Sequence, residues 1–596
     1  MKKNVMALSI AAMIGGLGFA GVASADVIVG AGTGTGADAQ TVTDIQKASP
    51  AGLMVKANAT NLEVSRGGVG HALVVPYFNV QNGNMTVLHV TNTDQKNGKV
   101  AKVRFRSAAN SDDLLDFQVF LSPGDVWTAA LTADANGLAQ IVTADTTCTV
   151  PALASGVAQS FNNSTARLPA YLDETARNAL TREGYVEIFN VADITNVKAW
   201  DASGGTTGTT SFSPLYNAVK HANGTPPCAT AGSAARTLLN NVAMADYLAD
   251  AAGEDAAAKA GLQTSTGGLM GDWYIINVPQ TTVFAGPATA VVANTGAGTA
   301  PARANFMHFA QLGNPLATAN ADGANGVTAD PLFRNANVFD ATGTAVATAA
   351  VPMLNYDAPD LSTPFFNAAG NNNARAQAQA LLGALAVKSV TNQYALDPSI
   401  TAKTDWVFSM PARRYNVVAN YAAATSASNA TSSNAKYRLF TDLNGAGQAG
   451  DYFYAAVSGA YATGGAAFKN GGNTTVEAGT GNICVYADGQ KFFDREETFS
   501  TSGPVFSPGT ASSVAFCGET SVLAFQDTGK SVLGASVARS TVTSAIYTNG
   551  WGVLDTTNAG LGLPIIGDAF IKLSNPNVSA GMSGTYGITW QHRFTK

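Results

Sequence analysis

Charged side chains are scarce in this chain. Asp, Glu, Lys and Arg make up 12% of its 596 residues, and 40 acidic side chains outnumber 34 basic ones, which leaves a net charge of −6 at pH 7. Binding of nucleic acid needs a concentrated basic surface that neutralises phosphates. The sequence shows no such concentration, so it predicts no nucleic-acid partner.

Residues that carry chemistry are also few. The chain has four Cys and five His, and it lacks a C-x-x-C pair, the H-E-x-x-H and G-x-S-x-G motifs and the G-x-x-x-x-G-K-[ST] loop. A G-x-G-x-x-A match at Gly32–Ala37 lies in a Gly-rich stretch near the N-terminus, outside the strand-to-helix context of a dinucleotide site. The sequence therefore predicts that the protein is not an enzyme and assigns no catalytic or cofactor-binding residue.

Long apolar runs are absent after the first 25 residues. Two lysines precede an apolar run from Val5 to Ala20, and Ala23-Ser24-Ala25 offers an A-x-A cleavage site before Asp26. This pattern predicts a secretory signal peptide over residues 1–25, with an N-terminal membrane anchor as the alternative. No later run reaches the roughly 18 to 20 apolar residues of a membrane-spanning helix.

The four cysteines predict disulfides, because an exported chain matures in an oxidising compartment. Four cysteines allow three connectivities. Cys148 with Cys228 and Cys484 with Cys517 is the favoured pairing, since each pair is local and lies within one compositional region.

Turn signals separate short β-type segments in the first third of the chain. Ala72 to Val80 and Met85 to Asn92 flank Asn82-Gly83, which favours a hairpin with a type I′ turn because both turn residues tolerate a positive φ. Asn97-Gly98 predicts the next reversal of the chain.

Charged and apolar residues alternate in the following segment. Lys102, Arg104 and Arg106 occupy every second position, with Val103 and Phe105 between them. Successive side chains of a strand point to opposite faces, so the charges are predicted on one face and the apolar groups on the other. Short strands with turns at this spacing favour a β-sandwich over a βαβ fold.

The whole chain is predicted to be mainly β, with two or more β-sandwich-like modules and with helical and Ala/Gly-rich loop insertions. Helical spacing is found in residues 171–182, 234–260 and 374–387. The predicted division is a signal peptide (1–25), a Gly/Thr-rich N-terminal segment (26–63), an N-terminal β-sandwich domain (64–200), a mixed middle region with helices and long loops (201–400) and a C-terminal β-rich domain (401–596).

One segment is a candidate calcium site. Asp442, Asn444 and Asp451 place oxygen ligands in a Gly-rich turn, and oxygen ligands are what this hard cation requires. The bidentate Glu of an EF-hand is missing, so an ordinary Asx-rich turn is the alternative. Calcium is the one cofactor that the sequence raises.

The C-terminal segment favours a long strand. Tyr586, Ile588, Trp590, His592 and Phe594 alternate with other residues and are predicted on one face. Aromatic alternation of this kind also occurs in outer-membrane β-barrels, which makes a porin an alternative prediction. The low aromatic content and the interspersed helical segments are against it.

Six blocks of the chain resemble the large exported cell-surface proteins of betaproteobacteria and their relatives, which are often described as surface-layer-like. The blocks are GHALVVPYFNVQNGNMTVLHVTNTD, KVRFRSAANSDDLLDFQVFLSPGDVW, REGYVEIFNVADI, GDWYIINV, TDWVFSMPARRY and YGITWQHRFTK. The resemblance implies an abundant protein of the outer surface that assembles with its own copies. It implies no catalytic residue.

The sequence thus predicts a structural cell-surface protein, a self-assembling surface-layer subunit that coats a Gram-negative cell. The predicted partners are other copies of the chain and the outer-membrane surface or its lipopolysaccharide. The predicted location is the exterior of the outer membrane, reached through the signal peptide. The alternatives are the porin and a secreted adhesin.

Overall fold

The protein is mainly β, as predicted, and its strands form several antiparallel sheets. The computed structural model describes residues 53–164, 168–169, 172–197, 213–245, 247, 251–311, 374–411, 413, 482–487, 489–496, 514–525, 531–541, 548–558, 561–579 and 582–596, together with the isolated strands 23–28, 337–339, 345–347, 417–419, 437–439, 474–476 and 499–500.

The strands described up to residue 311 build a two-layered unit, except for the first and the last, which pair with each other. They are β1 (Ala23–Ile28), β2 (Asn61–Val64), β3 (Val69–Gly70), β4 (Ala72–Asn79), β5 (Asn84–Asn92), β6 (Gly98–Ser107), β7 (Asp113–Leu121), β8 (Val126–Ala133), β9 (Ala139–Val142), β10 (Cys148–Val150), β11 (Gln159–Ser160), β12 (Glu183–Ile194), β13 (Leu262–Gln263), β14 (Leu269–Asn277), β15 (Thr282–Pro287), β16 (Thr289–Asn294) and β17 (Phe306–Gln311).

Two sheets form the layers of this sandwich. The back sheet has the strand order β10-β7-β6-β12-β4-β16-β2, with β13 paired to β12, and the front sheet has the order β11-β9-β8-β5-β14-β15, with β3 paired to β14. Apolar side chains from the facing sides of both sheets form a buried core, among them Val103 and Phe105 of the back sheet and Leu88 and Trp273 of the front sheet. Two antiparallel sheets that enclose a shared apolar core form a β-sandwich.

The turn at Asn82-Gly83 forms, but it does not close a hairpin. Asn82 and Gly83 have φ of 53° and 81°, as a type I′ turn requires. However, the strand before it, β4, pairs with β12 and β16 in the back sheet, and the strand after it, β5, pairs with β8 and β14 in the front sheet. The hairpin prediction was therefore wrong: the turn crosses from one layer to the other, because β4 is buried on both faces and takes an interior position in its sheet.

The remaining strands lie in the C-terminal half. They are β18 (Asn337–Phe339), β19 (Ala345–Ala347), β20 (Ala386–Val387), β21 (Ser389–Ala395), β22 (Lys403–Ser409), β23 (Val417–Ala419), β24 (Tyr437–Leu439), β25 (Thr474–Val476), β26 (Ile483–Ala487), β27 (Gly489–Asp494), β28 (Phe499–Ser500), β29 (Val514–Cys517), β30 (Thr520–Phe525), β31 (Ala538–Thr541), β32 (Asn549–Asp555), β33 (Thr557–Asn558), β34 (Leu561–Pro564), β35 (Asp568–Ser579), β36 (Met582–Gln591) and β37 (Arg593–Thr595).

Two five-stranded sheets dominate this half. Sheet III has the order β28-β27-β32-β21-β37 and sheet IV the order β31-β30-β22-β35-β36. Aromatic side chains pack between them, with Trp406 of sheet IV against Phe492 of sheet III and against Phe525. Sheet IV also reaches the N-terminal sandwich, since Phe570 packs against Trp273 and Phe284 of the front sheet.

Five helices are described, in the places where helical spacing predicts them or in the segment between. They are α1 (Glu174–Leu180), α2 (Pro214–Val219), α3 (Ala234–Met244), α4 (Ala251–Lys259) and α5 (Ala374–Leu385). Side-chain caps begin three of them: Asp173 accepts from the backbone N–H of Ala176, and serines do the same at α2 and α3. Within the described residues no helix is long and apolar enough to span a bilayer.

Both sandwich sheets take strands from either side of residue 200, since β13 to β16 follow it. The predicted division into domains stays a prediction. The predicted signal-peptide cleavage point, between Ala25 and Asp26, lies within β1, which pairs with β17 from Ala23 opposite Gln311 to Ile28 opposite Phe306.

Candidate functional surfaces

Buried ion pairs lie on both faces of the back sheet: Lys102 and Arg106 point away from the sandwich core, whereas Lys99 lies on the core side, in register with Leu121. The Lys99 ammonium lies 2.8 Å from Asp193 and 3.0 Å from Asp94, and Lys102 contacts Asp116. All of these lysine side chains are fully buried. The alternation of charged and apolar residues is therefore confirmed, but the charged face is covered rather than open to solvent.

Part of the cover is β17, whose Gln311 accepts a hydrogen bond of 2.8 Å from the Lys102 ammonium and donates one of 2.8 Å to Asp116. The neighbouring Arg106 lies 3.3 Å from Glu187, again with both side chains buried. Buried charges of opposite sign neutralise one another and contribute little net stability, but the loss of one partner is costly. These groups hold the layers in register and are closed to a substrate.

Two histidines are buried as neutral structural groups. His71 donates from Nε2 to the Ala302 carbonyl at 2.9 Å and accepts at Nδ1 from the Ala293 N–H, and burial lowers its pKa to about 4. His592 donates to the Val407 carbonyl and accepts from Asn392, and burial lowers its pKa to about 3. With both ring nitrogens engaged, neither side chain is placed for proton transfer.

His592 also corrects a prediction about the last strand. Tyr586 and Trp590 are 59% and 47% exposed, whereas His592 is 3% exposed. The five alternating residues do not share one face, because β36 ends at Gln591 and the chain resumes as β37 in a different sheet.

Residues 531–538, which we call the strap, connect the two halves of the molecule. Asp405 of sheet IV accepts from the Ser531 hydroxyl at 2.6 Å and from the Leu533 N–H at 3.0 Å. The Leu533 carbonyl accepts from Asn84 at 2.8 Å, and the Asn82 amide of the crossing turn donates to the strap at 3.1 Å. Burial raises the pKa of Asp405 to about 6, although hydrogen bonds from the strap oppose the shift.

Glu183, at the start of β12, holds the other end of the strap. Its carboxylate accepts from the N–H groups of Ser536 and Val537 at 3.1 and 3.0 Å and from the Tyr77 hydroxyl at 2.7 Å, and it contacts the Ser536 hydroxyl. Burial raises the pKa of Glu183. The strap network satisfies buried polar groups of both halves, as a structural joint requires.

Two disulfides fasten the chain locally, and they are the two pairs that the sequence favours. Cys148, the first residue of β10, is bonded to Cys228, which ties the helical segment to the edge of the back sheet. Cys484 and Cys517 face each other across β26 and β29. Two such bonds indicate an oxidising, extracytoplasmic environment.

The calcium candidates Asp442, Asn444 and Asp451 lie outside the described residues. Within the described part of the chain, no group of three or more His, Cys, Asp and Glu side chains is placed to hold a metal ion.

The first open surface is the outer side of the front sheet, which we call the front face. Its residues are half-buried or exposed and alternate with core residues along four neighbouring strands. They are Met85, Val87, His89, Thr91, Val126, Thr128, Ala130, Thr132, Met270, Asp272, Tyr274, Ile276, Val283, Ala285 and Pro287. One carboxylate, Asp272, is the only charge of either sign on this face apart from the ionisable His89.

Large apolar groups stand out of the front face. Val126, Met270 and Val283 are 44%, 36% and 49% exposed. The His89 ring packs edge-on against Tyr274, with their centroids 5.2 Å apart. The alternation of core and outward residues along each strand can be predicted from the sequence. The near absence of charge on the face cannot, because it depends on which four strands lie side by side.

The second open surface is the outer side of sheet III, which we call the aromatic–cation face. Phe493 and Trp551, opposite each other on β27 and β32, stack with centroids 4.3 Å apart and an interplanar angle of 12°. Trp551 is 42% exposed. The next row carries Lys491 beside Val553, followed by Thr391 on β21 and Arg593 on β37.

A concavity of about 420 Å³ opens at one end of this face. Lys388, Lys491 and Asp555 contribute its charged groups, and Ser389 and Thr557 contribute hydroxyls. The three basic side chains Lys388, Lys491 and Arg593 are exposed. Sequence reasoning missed this surface, because its residues come from strands more than 200 positions apart.

Comparison of the chain with protein-family models, with curated proteins and with solved structures finds no match in any of the three.

Proposed function

We propose that this chain is a structural protein of the cell surface that assembles with its own copies into a coat on a Gram-negative cell. The observation that carries the proposal is the front face, a broad and almost uncharged sheet surface on a chain with a net charge of −6. The extracytoplasmic environment and the resemblance to surface-layer-like proteins support it, and the outer-membrane surface or its lipopolysaccharide is the proposed attachment partner.

The composition of the front face favours a contact between copies. Two negatively charged molecules repel each other at long range, so a contact forms most easily where charge is absent. Burying such a face desolvates almost no ion, so the association avoids the cost of desolvating charges. Interface cores are likewise depleted in charged residues and enriched in Tyr and Met, and Tyr274 and Met270 lie on this face.

The front face is smaller than one side of a standard protein interface. Four strands of about seven residues cover roughly 20 Å by 20 Å, or about 400 Å², which is half of what one partner contributes to a standard interface. A contact of this size is weak alone. Repetition over many copies through contacts that do not close would give an ordered but reversible layer.

The test is negative-stain electron microscopy of the protein dialysed from chelator into millimolar calcium. Wild-type protein is expected to form sheets or tubes that dissolve again in chelator. Met270→Lys places a charge on the front face and should prevent assembly. Met244→Lys is the matched control, because Met244 is 42% exposed on α3, away from this face.

Wild-type particles that stay monodisperse with and without calcium would contradict the self-assembly proposal. Equal assembly by Met270→Lys and Met244→Lys would show that copies meet elsewhere. If calcium is required, Asp451→Asn tests the candidate calcium segment directly.

A further inference from the structure

The aromatic–cation face combines a stacked aromatic pair with basic side chains. The rings of Phe493 and Trp551 stack on each other, and Trp551 is exposed to solvent. Lys491 and Arg593 follow in the neighbouring row, one residue pair further along the same face. The face is therefore apolar at one end and basic at the other.

The charge of this face is opposite to that of the chain. Three exposed cations, Lys388, Lys491 and Arg593, accompany the single carboxylate of Asp555, although acids outnumber bases in the whole chain. Such a local inversion attracts an anionic partner and raises its local concentration. Lys and Arg side chains bind carboxylates through charge-assisted hydrogen bonds.

The concavity sets the scale of the partner. Its volume of about 420 Å³ lies at the small end of ligand sites and has room for one or two sugar rings. Its charged and hydroxyl groups suit a polar ligand with many hydroxyls. A pyranose ring also has an apolar side, where its C–H bonds point toward the electron-rich face of an aromatic ring.

We propose that the aromatic–cation face binds an acidic polysaccharide, a polymer whose sugar rings carry carboxylates. One ring stacks on Trp551, and the carboxylate of a neighbouring ring pairs with Lys491 or Arg593. Asp555 accepts hydrogen bonds from sugar hydroxyls in the concavity. This binding is separate from the front face and does not depend on assembly of the protein.

The test measures binding of polygalacturonate by isothermal titration calorimetry in chelator at low salt, where calcium neither cross-links the polymer nor promotes assembly of the protein. Neutral dextran and poly(dT) are the comparison polymers. Wild-type protein should bind polygalacturonate at least about tenfold more tightly than dextran, which is about 1.4 kcal/mol. The affinity should fall as salt is added, because salt screens exposed charges.

Two sets of variants locate the site. Trp551→Ala should weaken binding by at least about tenfold, Trp551→Phe should keep most of it, and Tyr586→Ala, which removes an aromatic side chain that is 59% exposed in sheet IV, should have no effect. Lys491→Gln should weaken binding several-fold, whereas Lys56→Gln, which removes the same charge from the N-terminal half, should not.

Four results would overturn the proposal: no measurable binding of polygalacturonate, equal binding of dextran, tighter binding of poly(dT), or unchanged affinity in Trp551→Ala. In the separate assembly assay with calcium, loss of self-association in Trp551→Ala with unchanged polysaccharide binding would instead assign this face to contacts between copies. Because calcium is absent from the titration, none of the four binding results depends on whether the proposed coat forms.

Discussion

Substitution of Glu183, which binds the strap, is the most direct test of how the two halves of the molecule are joined. In Glu183→Ala, the buried Tyr77 hydroxyl and the N–H groups of Ser536 and Val537 lose their acceptor. In Glu183→Gln, one carbonyl oxygen remains in the position that accepts both N–H groups. Both variants lose the charge and the acceptor for Tyr77, so the difference between them measures the hydrogen bonds from the strap.

The expected magnitude follows from these partners. A buried donor left without an acceptor costs about 1 to 3 kcal/mol. Tyr77 is fully buried and should cost the upper part of this range, while the two N–H groups belong to a partly buried segment and should cost about 1 kcal/mol each. Glu183→Ala is therefore expected to lower the free energy of unfolding by about 4 to 5 kcal/mol.

Glu183→Gln should lower it by about 2 to 3 kcal/mol, because the amide NH2 replaces the oxygen that accepts from Tyr77, while the oxygen that accepts both strap N–H groups remains. Burial raises the pKa of Glu183, so the charged form of this side chain is already disfavoured. Loss of the charge should therefore add little to the free-energy cost of Glu183→Gln.

Urea unfolding at pH 7 measures the free energies, and hydrogen exchange of residues 531–538 shows whether the strap opens first. The strap should exchange faster in Glu183→Ala than in Glu183→Gln. Two outcomes would refute the reasoning: a loss below 1 kcal/mol in Glu183→Ala, or an equal loss in both variants, since either would mean that the hydrogen bonds to the strap contribute little.

Three further predictions concern stability. Relative to wild type, Asp568→Asn should gain about 3 kcal/mol of stability between pH 5 and pH 8. Burial raises the pKa of Asp568 to about 7, and the stability that this carboxyl group contributes is lost as the pH rises through that value. Parallel pH profiles of the two proteins in urea unfolding would contradict this. Replacing Cys148 and Cys228 by serine opens a loop of 80 residues and should cost about 4 kcal/mol, measured by the same method against wild type. Gly184→Ala should cost about 2 to 4 kcal/mol, because its Cβ would lie 1.7 Å from a carbonyl oxygen of β6, whereas Gly296→Ala meets nothing closer than 3.9 Å and should be neutral in thermal unfolding.

Local signals in the sequence predicted local structure well. The positive φ values at Asn82 and Gly83 follow from the turn preference of this dipeptide. The sheet that each flanking strand joins does not follow from it, because pairing depends on strands more than 100 residues away, such as β12 and β14. Turn chemistry is local, whereas the choice between a hairpin and a crossing between layers is decided by burial.

The alternating charges of β6 show the same limit. The pattern predicted correctly that Lys102 and Phe105 point to opposite sides of the back sheet. It could not predict that the charged side is buried, because the covering Gln311 lies some 200 residues later in the chain. Burial of a charged strand depends on matching acids and amides in other segments. The periodicity of the strand itself gives no information about these partners.

The open surfaces were the hardest part to predict. The front face required the alignment of four strands, and the aromatic–cation face joins residues from β21, β27, β32 and β37. The final strand shows that a prediction from one segment alone can be wrong. Its aromatic alternation continues to Phe594, but the chain changes sheets at His592, so the apparent single face is divided between two surfaces.

Buried titratable groups in the C-terminal half and the sandwich act in opposite directions between pH 5 and pH 8. The raised pKa values of Asp405 and Asp568, about 6 and about 7, give stability at pH 5 that is lost as the pH rises. The lowered pKa values of His71 and His592, about 4 and about 3, give stability above pH 6.5 that is lost as the pH falls. Each pair amounts to about 4 kcal/mol over this interval, so the two effects nearly cancel. The contributions of these four groups to wild-type stability should therefore nearly cancel between pH 5 and pH 8, which urea unfolding at both pH values measures.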